Sequence, residues 1–404
     1  MNFPRQAVIL SGGKGTRLKQ VSKNVPKPLI KLDGVSFLKY QINYLSQFPF
    51  QEIVLLCGYK QKKFKNFVDN IKHKKIPVKI ICEDKLLGTG GAIINAKKYL
   101  DDIFFLCNGD TFFQINLIDF FYKFTQEKSD GIIALKKSNK DNRYSEVKVN
   151  KNRITLFSDL PVKKNKLYNC GYYFFKKKIF FGKKIKKSLE NEMLPNICKK
   201  YKISYKTFND KLLDIGIPKD LKYAEKYFEK FNKRKFILLD RDGVINKENN
   251  YVHKWKDFKL IPGIIKLLKN LNKKKIPIFI VSNQAGVGKG YYKISDVENL
   301  HNKFINLLIS KKIFINQIYY CCHHKNATIK KYKKNCSFRK PNNFFFKLIK
   351  KSWNLKSNNA ILIEDNLKNK LFATKSNIKF ILFDLKKNQN IYKFFINTCK
   401  KFLL

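Results

Sequence analysis

Short, unbroken apolar runs recur along the chain, and each stops abruptly at small or charged residues. Gln6–Leu10 runs into Ser11–Leu18, SGGKGTRL, and Ile103–Cys107 runs into Asn108-Gly109-Asp110. Phe236–Leu239 runs into Asp240-Arg241-Asp242-Gly243, Ile276–Val281 into Ser282-Asn283-Gln284, and Ala360–Ile363 into Glu364-Asp365. A continuous run marks a strand covered on both faces, as in a parallel sheet flanked by helices. In open α/β sheets ligands gather at the C-terminal tips of the strands, where these glycines, hydroxyls and carboxylates stand. One stretch has helical spacing instead: Asp220–Lys235 places Leu221, Ala224, Tyr227, Phe228 and Phe231 along one face. The Phe236 run follows directly and behaves like a second first strand. The pattern predicts two α/β domains, residues 1–231 and 232–404, with the boundary near Asn232.

Composition supports this division. A chain of 404 residues with 44% hydrophobic content is globular and long enough for two cores. Its net charge of +55 would ordinarily point to nucleic acid or an anionic membrane. The lysines are spread along the whole chain, however, so the excess reads as a solvated surface that also attracts anionic substrates. Neither nucleic acid nor a membrane is expected as a partner. Nine cysteines without framework spacing fit reduced thiols in a cytoplasmic protein. Met1–Leu10 lacks the charged and apolar regions of a signal peptide, and no uncharged apolar run approaches the ~18 residues that span a bilayer.

In the first half, Gly12, Gly13 and Gly15, followed by Thr16 and Arg17, allow backbone N–H groups to approach phosphate oxygens. By itself the segment reads equally as a Gly-rich turn. Pro26-Lys27-Pro28 holds a lysine in a stiff segment, and Leu87–Ala92, LGTGGA, is a second Gly-rich turn before a helical pattern. Asp110 at a strand tip, with Asp214 from Asp214-Ile215-Gly216, has the carboxylate chemistry of an Mg²⁺ site, though either in isolation reads first as a turn or cap residue. In order, GGKGTRL, PKP, LGTGGA, NGD, RYS, NCGYY and DIG-P resemble the sugar-1-phosphate nucleotidyltransferase family, most closely its heptose 1-phosphate guanylyltransferase branch. The resemblance implies a Rossmann-like fold and a loop Gly12, Gly13, Gly15, Thr16, Arg17 that cradles a nucleoside triphosphate. It implies Lys27 and Gly88 at the nucleotide, Asn169 at the sugar, and Mg²⁺ on Asp110 and Asp214. Glu83 stands five residues before Gly88, where the family often has a base-reading glutamine. A carboxylate only accepts hydrogen bonds, and guanine offers two adjacent donors, so GTP is the expected nucleotide. The chain departs from the family at Asp159-Leu160-Pro161, which replaces Glu-Lys-Pro, and at Ser145, which replaces glycine. Lys163, Lys164 and Lys166 are the stand-ins available for the missing lysine.

In the second half, a carboxylate nucleophile with a second carboxylate two residues on suits aspartyl-phosphate chemistry. LDRDGVIN, YVHKW, SNQAGVGKGYY, YYCCHH and FRKP resemble the haloacid-dehalogenase phosphatase superfamily, and within it the heptose-1,7-bisphosphate 7-phosphatases. The resemblance implies a Rossmann-like domain with Asp240 as nucleophile, Asp242 as general acid/base, and Ser282 and Lys340 on the phosphoryl group. Asn283 and Arg339 would orient the substrate, and Mg²⁺ would sit on Asp240, the Asp242 carbonyl and Asp365. It also implies a zinc loop, of which Cys321, His323 and Cys336 match while Phe338 takes the fourth position. His324 and Cys322 are the substitutes at hand; otherwise the loop packs Phe338 without metal. Two further departures are Glu364 in place of a glycine and Asn369 in place of an aspartate.

The expectation is a bifunctional enzyme that handles sugar phosphates and GTP. Two other readings stay open on the sequence: a histidinol-phosphate-type phosphatase fused to a transferase for another sugar, and a basic nucleic-acid-binding protein with decayed enzyme domains.

Overall fold

The computed structural model describes residues 3–13, 25–71, 76–141, 144–180, 188–356 and 358–403. The chain forms two compact units, Met1–Glu229 and Lys230–Leu404.

In the first unit the Gln6–Leu10 strand lies between Glu52–Cys57 and Ile103–Asn108, parallel to both. Val78–Cys82 extends the parallel part beyond Glu52–Cys57. On the other side the sheet turns antiparallel, with Leu167–Lys176 beside Ile103–Asn108 and then Ser145–Asn150 and Arg153–Pro161. All five residues of the first strand are buried, as its unbroken apolar pattern requires. A separate two-stranded pair, Thr111–Phe113 with Leu212–Asp214, fastens Asp214 opposite Thr111, and the Ile215 amide donates to the Asp110 carbonyl at 3.0 Å. This short ladder brings together two aspartates that are far apart in sequence.

Two local expectations shift. The LGTGGA stretch is not a turn before a helix: the helix spans Gly88–Ala96, and Gly90, Gly91 and Ala92 are buried in it. Small residues let this first turn lie close against its neighbours. The closing helix spans Pro218–Asn232, two residues earlier than the apolar spacing indicates, because proline is well suited to the first turn, where its missing N–H costs nothing.

The second unit is built on a five-stranded, wholly parallel sheet in the order Gln317–Cys321, Ile278–Asn283, Phe236–Leu239, Ala360–Glu364, Lys379–Leu382. Its side chains alternate between two cores. Ile237, Leu239, Ile278, Ile280, Ile361 and Ile363 face one, and Phe236, Leu238, Phe279, Val281, Ala360 and Leu362 face the other. The second strand starts at Ile278 and not at Ile276. Pro277 has no N–H for the ladder, although its carbonyl accepts from Ile237 at 2.9 Å. The three central strands end side by side, which puts Asp240, Ser282-Asn283 and Glu364-Asp365 at one edge. Among the described residues, no helix is long and apolar enough to cross a membrane.

Candidate active sites

In the first unit Gly12 and Gly13 follow the tip of the Gln6–Leu10 strand, while Gly15, Thr16 and Arg17 lie outside the described residues. Glu83 is buried, and its Oε2 accepts the Leu87 amide at 2.9 Å. Among the described residues, its buried Oε1 has no hydrogen-bond partner. Burial raises the Glu83 pKa, against the opposing pull of the Leu87 N–H. A Cβ on Gly12 would stand 3.2 Å from that free oxygen, so the absent side chain leaves the carboxylate open to the strand tip. Gly88 opens the helix just beyond, with φ +77°.

A cavity of about 340 Å³ opens beside these residues, lined among others by Lys27, Asp110, Asn169, Glu190 and Asp214. Lys27 Nζ lies 3.2 Å from Asp110 Oδ2. Asp214 accepts from the Tyr144 hydroxyl at 3.0 Å and from the Gly216 amide at 2.7 Å. Burial and then the charge of Asp214 raise the Asp110 pKa, which Lys27 opposes. Two carboxylates crowded in this way, with one lysine against Asp110, fit a divalent cation of oxygen-seeking type. Asn169 accepts from the Gly171 amide at 2.9 Å and donates to the Tyr173 hydroxyl at 2.7 Å. Lys163, Lys164 and Lys166 are not among the residues lining the cavity; Lys163 pairs instead with exposed Asp141 at 3.2 Å.

Sequence reasoning missed Glu190. It receives hydrogen bonds from Asn108 Nδ2 at 3.2 Å and from Thr89 Oγ1 and the Tyr173 hydroxyl at 3.4 Å each. Burial raises its pKa. A wide, π-type turn at Leu189–Met193 presents it to the cavity. No periodicity in the stretch announces such a turn, and the flanking Leu189, Met193 and Leu194 read only as core.

In the second unit the residues expected at the phosphoryl group come together. Lys340 Nζ is 3.0 Å from Asp240 Oδ1 and also reaches Glu364 Oε1. Glu364 is fully buried, and its Oε2 accepts from Asn369 Nδ2 at 3.0 Å. The two positions that depart from the family thus bind each other. Burial, then the charge of Glu364, push the Asp240 pKa well up, against Lys340. Burial pulls Lys340 down, but Asp240 and Glu364 outweigh it and its pKa rises. Carboxylate oxygens of Asp240, Glu364 and Asp365 lie within 4.8 Å of one another, and burial with the charge of Asp240 lifts Asp365 to about 6. Such like-charge crowding fits a cation-binding site.

Asp242 is held apart from this cluster by Arg241, by Asn246 Nδ2 at 2.9 Å and by Gln284 Nε2 at 3.0 Å. Gln284 Nε2 also reaches Ser282 Oγ at 2.8 Å, a link the sequence motif contains but does not assign. Asn283 exchanges hydrogen bonds with the Lys340 backbone, both at 3.1 Å, and so fixes the lysine's loop. Arg339 Nη1 donates to the His323 carbonyl at 3.1 Å, which ties it to the cysteine loop.

In that loop the ligand atoms of Cys321, His323 and Cys336 lie within 4.8 Å of one another. Burial holds the Cys321 thiol up at about 12. Phe338 packs on Phe344 and Phe345, with ring centroids at 4.4 and 5.1 Å. Neither substitute joins the cluster: Cys322 packs with Val287, Tyr292 and Val297, and His324 Nδ1 accepts the Asn326 amide at 3.0 Å.

Residues 6–230 match the family model described as nucleotidyl transferase, and residues 235–395 match the one described as polynucleotide kinase 3 phosphatase. The D-glycero-alpha-D-manno-heptose 1-phosphate guanylyltransferase of Campylobacter jejuni is 36% identical over 218 residues, covering 53% of this chain and 96% of that protein. The D-glycero-alpha-D-manno-heptose-1,7-bisphosphate 7-phosphatase of Photorhabdus laumondii is 36% identical over 134 residues, 33% of this chain and 73% of that protein. Among solved structures, HddC from Yersinia pseudotuberculosis complexed with GMP-PN is similar, with 31% identity, a TM-score of 0.51, and coverage of 55% of this chain and 99% of that one.

Proposed function

Because the chain belongs to the nucleotidyl transferase family over residues 6–230, and in its second half to the family of heptose-bisphosphate phosphatases, we propose that it performs two consecutive steps on one sugar. The second unit removes the 7-phosphate of D-glycero-alpha-D-manno-heptose 1,7-bisphosphate. The first unit joins the resulting heptose 1-phosphate to GMP from GTP and releases pyrophosphate. The observation that carries this reading is the pairing of relatives: taking the 7-phosphate from the bisphosphate in one name leaves the heptose 1-phosphate in the other.

In the phosphatase unit Asp240 attacks phosphorus, with Lys340 and Ser282 holding the phosphoryl oxygens and Asp242 protonating the departing C7 oxygen. Asp242 then takes a proton from water as the aspartyl phosphate is hydrolysed, which returns Asp240 free. Asp240, the Asp242 carbonyl and Asp365 would hold Mg²⁺, which when bound shields the charge between carboxylate and phosphate. Asn283 and Arg339 border the substrate, the former through the lysine loop and the latter toward the distal phosphate.

In the transferase unit the 1-phosphate oxygen attacks the α-phosphorus of GTP. Gly12, Gly13, Gly15, Thr16, Arg17 and Gly88 cradle the nucleotide, Lys27 neutralises phosphate charge, and Asp110 with Asp214 would hold Mg²⁺. Glu83 accepts from the guanine N1–H and exocyclic amine, a role its unpartnered buried oxygen supports. Asn169 and Glu190 meet the sugar hydroxyls in the cavity. Cys321, His323 and Cys336 are the residues that would hold zinc. The nine free thiols suit the cytoplasm.

The test is to incubate the full chain with the bisphosphate, GTP and Mg²⁺. GDP-heptose, phosphate and pyrophosphate are expected, with GTP preferred over UTP and dTTP. Phosphate release from histidinol phosphate but not from the heptose bisphosphate would overturn the reading.

A further inference from the structure

Arg241 lies between the two carboxylates of the Asp240–Asp242 turn; its backbone amide donates to Asp240 Oδ1 at 2.7 Å, while its side chain reaches Asp242. Its side chain is 1% exposed, among the largest fully buried side chains in the molecule. Nε lies 3.1 Å from both oxygens of Asp242, and Nη2 lies 2.8 Å from both. Nη2 also donates to the Val252 carbonyl at 2.6 Å. Nη1 stands 3.5 Å from His301 Nε2. A guanidinium has no acceptor, so this contact requires the lone pair of a neutral imidazole. His301 is itself buried, with its ring edge-on to Tyr320 at 5.3 Å.

The site therefore divides its cations. The Lys340 ammonium contacts Asp240 and Glu364, and the Arg241 guanidinium contacts Asp242. Arg241 spends its donors on Asp242, Val252 and His301, which leaves it no part in gripping a phosphoryl group. Each donor nitrogen is equidistant from the two oxygens, so the edge of the guanidinium crosses the edge of the carboxylate and holds both oxygens at once, a grip that a single ammonium would not reproduce. Asn246 and Gln284 complete the seat, and Gln284 links it to Ser282.

We propose that Arg241, seated by His301 and the Val252 carbonyl, is a positioning residue that aims the Asp242 carboxylate at the leaving oxygen. The proposal rests on the reading of Asp242 as general acid/base. It makes Arg241 matter only for steps that need that proton.

Leaving-group dependence separates this from a purely structural role. An alkoxide leaving group needs a proton, whereas p-nitrophenolate leaves without one. First-turnover cleavage of the heptose bisphosphate and of p-nitrophenyl phosphate is measured for the full chain and for its Asp242→Asn, Arg241→Met, Arg241→Lys and His301→Leu variants. Asp242→Asn and Arg241→Met are expected to slow the sugar phosphate by about 100-fold or more. The p-nitrophenolate burst should change by less than about 5-fold, with slow turnover afterwards because hydrolysis of the aspartyl phosphate still needs the base. Arg241→Lys and His301→Leu should show the same pattern more weakly, and they carry the test if Arg241→Met fails to fold. Arg241 and His301 variants that slow both substrates equally, while Asp242→Asn discriminates, would overturn the proposal. Failure of Asp242→Asn to discriminate would instead sink the role of Asp242.

Discussion

Gly243 makes a contact that its position in the motif does not reveal. Its φ is +77°, and a Cβ there would fall 1.9 Å from Asp365 Oδ2, inside any allowed contact. The sequence reads Gly243 as the residue that permits a turn. Its second duty, leaving room for a carboxylate from another strand, is a tertiary fact. Gly243→Ala should displace Asp365 and weaken Mg²⁺ binding, read by calorimetric titration, with phosphatase activity lost and nucleotidyl transfer retained. Glu83 is the converse: its place before Gly88 was legible, and the structure adds that one buried oxygen has no partner among the described residues. Its pKa is raised by burial, so it protonates at a higher pH than an ordinary carboxylate. Only the ionised form accepts both guanine donors, so GTP affinity should fall as pH drops through the raised pKa. In Glu83→Gln the affinity is expected to be lower at neutral pH and flat over that range, as equilibrium binding would show. The sign for stability is opposite. A raised carboxylate pKa favours the folded state below the unfolded value and loses that contribution as pH rises through the folded one.

Among the elements, strands were the most legible, because a run buried on both faces has no competing pattern. The strand at Phe236 kept its predicted start, and the one at Ile278 moved only because Pro277 cannot donate to a ladder. The Gly-rich stretch at Leu87 misled because glycine disfavours helices in isolation, whereas burial of Gly90 and Gly91 against neighbours reverses the preference. The turn that presents Glu190 has no signature at all. The cysteine loop gave three of four ligands to sequence reading, and the structure brings those three together, while Phe338 packs on Phe344 and Phe345. A closed zinc site wants four protein ligands. Phe338→Cys should therefore raise zinc affinity by about 100-fold or more, measured by competition with a chelating dye. An unchanged affinity would mean that position 338 does not face the three ligands.

At the scale of the molecule, two units carry chemistry that joins end to end. On the proposed roles, Asp240→Asn removes the nucleophile of the second unit. Asp110→Asn removes an Mg²⁺ ligand of the first. In the full chain, Asp240→Asn should abolish phosphate release from heptose 1,7-bisphosphate while still converting added heptose 1-phosphate and GTP to GDP-heptose. Asp110→Asn should release phosphate at the normal rate and accumulate heptose 1-phosphate. Mixed together, the two variants should regain GDP-heptose synthesis from the bisphosphate, because the intermediate is a small dianion free to pass through solvent. Its rate should rise with protein concentration and show a lag that the unmodified chain shortens only if the intermediate is retained. The net charge of +55 bears on that comparison, since a basic surface concentrates anions near the protein. Any advantage of the intact chain that comes from this field must shrink between about 0.05 and 0.5 M salt, as the Debye length contracts from about 14 Å to about 4 Å. An advantage that survives high salt would have to come from direct transfer between the sites, and no lag in the mixture at any salt would mean that release and recapture are never limiting.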